Sequence, residues 1–426
     1  MAWPDTMRKL VESALPSTAE SHRTTSSKIR VSRQILTLLH RWAGLFLAVF
    51  LFISGLTGAI ISWDHELDEW LNPHLFERTS QGESLSPLKL VDRLEASDPR
   101  LLVTSLPLEP EPGYNLTLGV HARVDPATNE LFDVDFNQIA LDPASGEIRG
   151  TRMWGEISLS RENLLPFLYK LHYSMHIPDV FDIELGILFM GIVALVWTID
   201  CFIALWISFP SLKSWAKSFT FRWRQGSYKA IFDLHRSGGV WIWGCLLILA
   251  VSSLSMNLYV EVMRPLISMV STLHPDPFAQ RTPNPHDEPI IPVIQRRQII
   301  ELASQEAQRR NWTTPIGSMF YEPDYGIYGV TFHEPGEDHV DFGLGNPWLY
   351  FDGQDGSYLG DRIPGSGSAG DIFLEAQFPL HSGRILGLPG RIMVSILGLL
   401  VAVLSITGVV IWQRKRWARS RMITHS

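Results

Sequence analysis

Two stretches decide how the chain folds: LHRWAGLFLAVFLFISGLTGAII, from Leu39 to Ile61, and LHRSGGVWIWGCLLILAVSSLSM, from Leu234 to Met256. Each opens on Leu-His-Arg and continues as an apolar run, and about 20 helical residues cross the ~30 Å hydrocarbon layer of a bilayer. Two further runs meet the same length test, so spans are expected over Ile35–Trp63, Leu185–Phe209, Val240–Tyr259 and Ile392–Trp412. Composition agrees: 46% hydrophobic residues, with 15 Trp and 21 Phe, exceed what a soluble chain of 426 residues needs.

The two stretches also reveal a repeat. LHYSMHIPDVFDIELG from Leu171 and LHSGRILGLPGR from Leu380 form a second, looser pair, each leading into another span. Each half therefore reads as span, external domain, span. An even number of spans per half sets the halves parallel, related by an approximate two-fold axis along the membrane normal. The fold class expected is an α-helical membrane protein with four transmembrane helices in two parallel repeats, plus two small periplasmic α+β domains.

Orientation follows from Lys and Arg, which in short flanking segments stay in the cytoplasm. Arg8, Lys9, Arg23, Lys28, Arg30, Arg33 and Arg41 surround the start of the first span; Lys213, Lys217, Arg222, Arg224, Lys229 and Arg236 lie between the second and third. The tail adds Arg414, Lys415, Arg416, Arg419 and Arg421. By contrast Asp64–Phe167 holds 19 acidic against 8 basic residues, and Leu258–Arg384 holds 17 against 8. The reading is a cytoplasmic segment 1–34, a first span 35–63, an external domain 64–170, an interfacial segment with the second span 171–209 and a cytoplasmic loop 210–234. A third span 235–259, a second external domain 260–378, an interfacial segment with the fourth span 379–412 and a cytoplasmic tail 413–426 follow. Both termini are expected in the cytoplasm of a multi-pass inner-membrane protein. The net charge of −8 averages two opposite populations and gives no indication of nucleic acid.

Within the external segments the patterns match again. PLKLVDRLEAS from Pro87 and IIELASQEAQRRN from Ile299 have helical periodicity; IALDPASGEIRG from Ile139 and WLYFDGQDGSYLG from Trp348 read as hairpins turning at Gly146 and Gly356, and YGIYGVTFHE from Tyr325 as a strand. The Pro-rich HPDPFAQRTPNPHDEPIIP from His274 reads as an extended loop over the second domain. The first 28 residues lack the short apolar core of a cleaved signal peptide, so the first span is expected to act as an uncleaved anchor. Cys201 and Cys245, the only two cysteines, both fall inside spans, which excludes a disulfide framework and a Cys-ligated cluster.

The order of LHRW, DPASGEI, DGQDGSYLG, LHSGRILGLPGR and LSITGVVIWQRKR resembles the PepSY-associated transmembrane proteins, a family that includes bacterial inner-membrane siderophore reductases. The resemblance covers roughly residues 30–420. It implies a di-haem reductase that strips ferric iron from siderophores in the periplasm.

The histidines give an independent route to haem. Of 14, four follow a leucine at a span entrance: His40, His172, His235 and His381. Two axial imidazoles leave no open position on haem iron, which suits electron transfer. The repeat pairs His40 with His235 near the cytoplasmic face and His172 with His381 near the external face, for two haems b, non-covalent because no Cys-x-x-Cys-His site exists. A single interfacial histidine is more often a hydrogen-bonded or headgroup-facing residue, but four at repeat-related positions favour ligation. His176, four residues after His172 and expected on the same helical face, competes with it as ligand or support. Arg41, Arg236, Arg384 and Arg391 could pair with haem propionates, against a reading as topology or headgroup contacts. Asp200 is a carboxylate inside a span, a position that usually marks a buried partner or a proton path.

His65, His74, His121, His274, His286, His333 and His339 match no compact metal motif and read as surface or turn residues. Trp154, Tyr169, Tyr173, Trp348, Tyr350 and Phe378 read as an interfacial aromatic belt. With no Gly-x-Gly-x-x-Gly, Walker A, Gly-x-Ser-x-Gly or His-Glu-x-x-His motif, electrons must come from a separate donor, a quinol or a cytoplasmic reductase. Two rival classes remain. One is a non-enzymatic binding or regulatory protein whose external domains recognise a peptide or siderophore; the other is a transporter, disfavoured by few intramembrane polar residues and by the lack of an expected broken helix near the midplane.

Overall fold

The computed structural model describes residues 18–181, 183–337 and 342–423. It resolves into two compact units, one made of the chain up to Leu51 with Val196–Leu247 and the part from Val403 onward, the other of Phe52–Leu195 with Ile248–Ala402. His339 lies outside the described residues.

The elements follow the apolar pattern. In chain order they are α1 (Thr18–Ile61), α2 (Pro87–Ser97), strands β1 (Leu101–Pro107), β2 (Leu116–Ala122), β3 (Gln138–Leu141) and β4 (Ile148–Arg152), α3 (Leu164–Ser174) and α4 (Leu185–Ser208). Then come α5 (Ser227–Trp241), α6 (Trp243–Asn257), α7 (Arg296–Arg309), strands β5 (Ile316–Glu322), β6 (Ile327–Phe332), β7 (Trp348–Asp352) and β8 (Tyr358–Arg362), α8 (Gln377–Ser382) and α9 (Leu388–Ile423). Among the described residues three helical stretches are long and apolar enough to cross a membrane: Val31–Ile61, Leu185–Ser208 and Leu388–Arg421.

The third expected span is different. It is the pair α5 and α6, bent by 70° at the break between Trp241 and Trp243, so the described residues hold three such helices, or four if the bent pair is one span. Gly238, Gly239 and Gly244 flank the break, and glycine weakens a helix because it has the most backbone freedom to lose. The break falls at the start of the expected span Val240–Tyr259.

In the second unit α1 and α9 pack at close quarters through small residues four apart. A Cβ on Gly55 would lie 2.5 Å from the Gly398 carbonyl oxygen and 3.2 Å from the Ala402 nitrogen; one on Gly398 would lie 3.2 Å from the Ala59 nitrogen. Gly55-x-x-x-Ala59 against Gly398-x-x-x-Ala402 is the small-residue crossing by which helices associate where water does not drive them together. Trp63 Nε1 donates to Ser395 Oγ at 3.0 Å along the same contact.

The two strand-forming segments merge. All eight strands form one antiparallel sheet of order β4-β3-β2-β1-β5-β6-β7-β8, joined in the middle where β1 pairs β5 through Ser105 with Phe320, Leu106 with Met319 and Pro107 with Ser318. The expectation of two separate small domains is corrected to one sheet with one core. Each segment alone would leave a strand edge open; pairing β1 with β5 closes both. Leu90, Val91 and Leu94 of α2 and Ile299, Ala303 and Ala307 of α7 pack in a single apolar cluster with the sheet residues Val103, Leu118, Met319 and Leu349. Arg296 on α7 ties the halves further, donating to both carboxylate oxygens of Glu95 at 2.7 and 3.1 Å and to the Val103 carbonyl at 2.7 Å.

The two hairpins read from the sequence turn alike. Asp142 Oδ1 accepts from the N–H of Ala144 and Ser145, and Gly146 N–H donates to the Asp142 carbonyl at 2.8 Å. Asp352 Oδ1 accepts from Gln354 and Asp355, and Gly356 N–H donates to the Asp352 carbonyl at 3.0 Å. The glycines have φ of +76° and +75°, a left-handed geometry that closes such hairpins and that glycine adopts without strain. The Pro-rich segment lies against the second half of the sheet, Ile290 N–H donating to Pro323 and Val293 N–H to Gly353.

Candidate functional site: two facing histidine pairs

In the first unit, the ring centres of His40 on α1 and His235 on α5 lie 6.2 Å apart. In the second, those of His172 on α3 and His381 on α8 lie 6.0 Å apart. Each unit thus brings together one pair, and the partners are the repeat-related ones.

The Nδ1 atoms are all engaged. His40 Nδ1 lies 2.9 Å from both carboxylate oxygens of Asp200 on α4. His235 Nδ1 lies 3.0 Å from the Leu404 carbonyl oxygen and 3.2 Å from Thr407 Oγ1, both on α9. A carboxylate and a carbonyl oxygen can only accept, so both rings carry their proton on Nδ1. His172 Nδ1 meets Thr57 Oγ1 at 3.1 Å, and His381 Nδ1 meets Ser252 Oγ at 3.0 Å. Thr57 already donates to the Ile53 carbonyl at 2.9 Å and Ser252 to the Leu249 carbonyl at 3.0 Å, so each hydroxyl accepts from the imidazole. Each ring, when neutral, therefore carries its proton on Nδ1 and its lone pair on Nε2.

Burial supports that state at the second pair, which stands outside the long apolar helices. It pushes the His172 imidazole down to about 4 and that of His381 down to about 3, so both are neutral at physiological pH. Space is provided by glycine: a Cβ on Gly58 would lie 2.8 Å from His172 Cε1, and one on Gly408 would lie 3.1 Å from His235 Cε1.

Two imidazoles at this separation can hold one metal between them. Metal–imidazole nitrogen bonds of about 2.0 Å, with the distance from each nitrogen to its ring centre, add to about 6 Å between centres. Among the described residues no group of three or more His, Cys, Asp or Glu side chains could hold a bare metal ion. Paired histidines alone suit a metal whose remaining positions are filled by a macrocycle.

His176 stands off the helical face of His172. α3 ends at Ser174, Met175 and His176 have φ of +54° and +51°, and the His176 ring stacks on Phe167 at 4.7 Å with Nε2 2.9 Å from the Phe167 carbonyl oxygen. The expectation that His172 and His176 share a helical face is corrected by that left-handed turn.

The arginines differ from one another. Among the described residues Arg41 Nε and Arg236 Nε are buried with no hydrogen-bond partner, although Arg236 also donates to the Lys217 carbonyl at 2.6 Å and stands 3.7 Å from Asp233. Arg391 donates to the Ser62 carbonyl and to Glu66 at 2.7 Å, and Arg384 stands 3.8 Å from Asp64. Of the external aromatics, Trp154, Tyr169 and Tyr173 form a chain with centres 5.7 and 6.1 Å apart, whereas Trp348 packs on Phe320 and Tyr350 on Phe278. The sequence reading missed Thr57, Ser252 and Thr407. The offset of 195 residues that relates His40 to His235 also relates Thr57 to Ser252, and could have found the pair.

A model of the PepSY-associated TM region matches residues 37–415. The chain belongs to the PepSY-associated TM family. No curated protein matches it. All four paired histidines, with Thr57, Asp200, Ser252 and Thr407, lie inside the PepSY-associated TM match. The protein is thus a membrane protein with several apolar helices and a separate antiparallel sheet domain.

Proposed function

We propose that this PepSY-associated TM protein carries two bis-histidine haems b and transfers electrons across the bacterial inner membrane to a ferric siderophore outside, releasing ferrous iron. The observation that carries the reading is the common arrangement of the four paired imidazoles: each Nδ1 anchored, with ring centres 6.2 and 6.0 Å apart. His40 with His235 would hold one haem and His172 with His381 the other. The buried, unpartnered Nε atoms of Arg41 and Arg236, next in sequence to two of these histidines, are donors suited to propionate carboxylates. Arg391 is committed to Ser62 and Glu66 and is the weaker candidate.

Haem held by two imidazoles would supply a one-electron couple. The chain's own residues fix the rest. Thr57, Ser252, Thr407 and Asp200 hold the rings in the tautomer that presents Nε2, and Gly58 and Gly408 leave room for two of them. The four spans, counting the bent pair as one, would form two parallel repeats. The basic segments would face the cytoplasm, where a quinol or a reductase would donate, and the sheet would stand in the periplasm. Ferric iron leaves hard oxygen donors more readily once reduced, because the ferrous ion has a lower charge.

The test uses purified protein in detergent, reduced with dithionite. A ferric siderophore is expected to reoxidise it and yield ferrous iron to a chelator, while the gallium-loaded siderophore leaves it reduced. A haem-bearing protein that no ferric siderophore reoxidises would remove the siderophore from the proposal.

A further inference from the structure

One of the four paired imidazoles is held unlike the others. Thr57, Ser252 and Thr407 with the Leu404 carbonyl offer neutral acceptors, but His40 shares its Nδ1 proton with the Asp200 carboxylate, both oxygens at 2.9 Å. Asp200 is 7% exposed, inside the apolar α4, and His40 is the ion-pair partner found for it among the described residues. A carboxylate there is expensive to desolvate unless its partner needs it.

The repeat shows that the fold itself does not require an acid at this position. VALVWTID from Val193 aligns with VAVLSITG from Val401, which places Asp200 opposite Gly408. Gly408 is the residue against which His235 Cε1 rests, its Cβ position 3.1 Å away. The same corner of each half therefore receives an imidazole, and a carboxylate faces it in one half only. A carboxylate that accepts the Nδ1 proton gives the ring anionic character and makes Nε2 a stronger donor, which favours the higher oxidation state of a bound metal.

Resting on the di-haem reading, we infer that Asp200 is a positioning residue that lowers the reduction potential of the haem held by His40 and His235 relative to the one held by His172 and His381. The order makes transfer from the first site to the second downhill. It also assigns the direction of flow: the low-potential site receives from the donor and the high-potential site delivers.

The experiment is a spectroelectrochemical titration of the purified full-length protein, with the two components assigned by the His40→Ala variant. Asp200→Asn keeps an oxygen acceptor and removes the charge. It is expected to raise the lower-potential component, multiplying its ratio of reduced to oxidised form at a fixed potential by about ten, or about 59 mV for a one-electron couple. The other component is expected to stay in place. Asp200→Glu should restore most of the wild-type value, and Asp200→Thr, which installs the hydroxyl used at the other rings, should behave as the Asn variant if the latter assembles poorly. Wild-type protein in which the His40 component is the higher of the two, or Asn and Thr variants that move neither component or both equally, would overturn the inference while leaving the haems in place. Wild-type protein without haem would overturn the functional reading and this inference with it.

Discussion

Thr57 and Ser252 stand 195 residues apart, the offset that separates His40 from His235, and each accepts the Nδ1 proton of one imidazole of the same facing pair, His172 at 3.1 Å and His381 at 3.0 Å. Replacing either hydroxyl leaves a buried N–H unsatisfied, at about 1–3 kcal/mol. Thr57→Val and Ser252→Ala are therefore expected to weaken retention of the His172/His381 haem, by about tenfold or more. Haem content and the reduced-minus-oxidised spectrum after dilution check this, with the other component as internal control.

Sterics give a sharper case at Gly58. An alanine Cβ would sit 2.8 Å from His172 Cε1, closer than carbon atoms approach without something moving. Gly58→Ala is expected to displace the ring and remove one haem of two. Gly408→Ala, at 3.1 Å from His235, is expected to perturb the other component more mildly. Pyridine haemochrome analysis of both variants distinguishes the sites.

The pairing itself is open to direct test. His40→Ala and His235→Ala are expected to remove the same spectral component, and His172→Ala and His381→Ala the other. His176→Ala should spare both, because its ring is engaged by Phe167. Loss of one component in both the His40 and the His381 variant would break the assignment.

The helices long enough to span, the external hairpins and the four Leu-His sites were legible because each is a local signal: an apolar run, a turn glycine, a dipeptide beside a span. What failed depended on long-range geometry. Nothing in LLVTSLP or IGSMFYE announces that β1 and β5 will pair with each other, so one shared sheet was read as two domains. The bend at Trp241 and Trp243 lies within a continuous apolar run, where hydropathy does not register direction. His176 was misplaced because helical spacing was extended two residues past Ser174, where the backbone turns left-handed. Asp200 was recognised as out of place, and only its distance to His40 gave it a partner.

The sheet supplies a stability prediction that is independent of haem. Gly146 and Gly356 hold φ of +76° and +75°, and a Cβ would approach Leu90 Cδ2 at 3.0 Å and Leu302 Cδ1 at 3.2 Å. Each Gly→Ala change is expected to destabilise the sheet domain by about 1–2 kcal/mol, from backbone strain. Thermal unfolding followed by circular dichroism in detergent measures it.

Acid should act at the same turn. Burial raises the pKa of Asp142, and hydrogen bonds from the Ser145 and Ala144 N–H groups and the Ser80 hydroxyl outweigh it, holding the carboxyl down to about 2. Because the folded value is depressed, its stabilising contribution is complete above the ordinary carboxylate range and is lost as pH falls through that range toward about 2. Asp142→Asn is expected to lower the melting temperature at neutral pH, with the difference from wild type shrinking in acid.

The most direct measurement is the haem stoichiometry of the purified chain. Two haems b per polypeptide, with the reduced spectrum of six-coordinate low-spin iron, are expected from two facing imidazole pairs that both present Nε2. Fully folded protein prepared with haem available and containing none would contradict the central claim, since the two pairs would then have to be explained as packing alone.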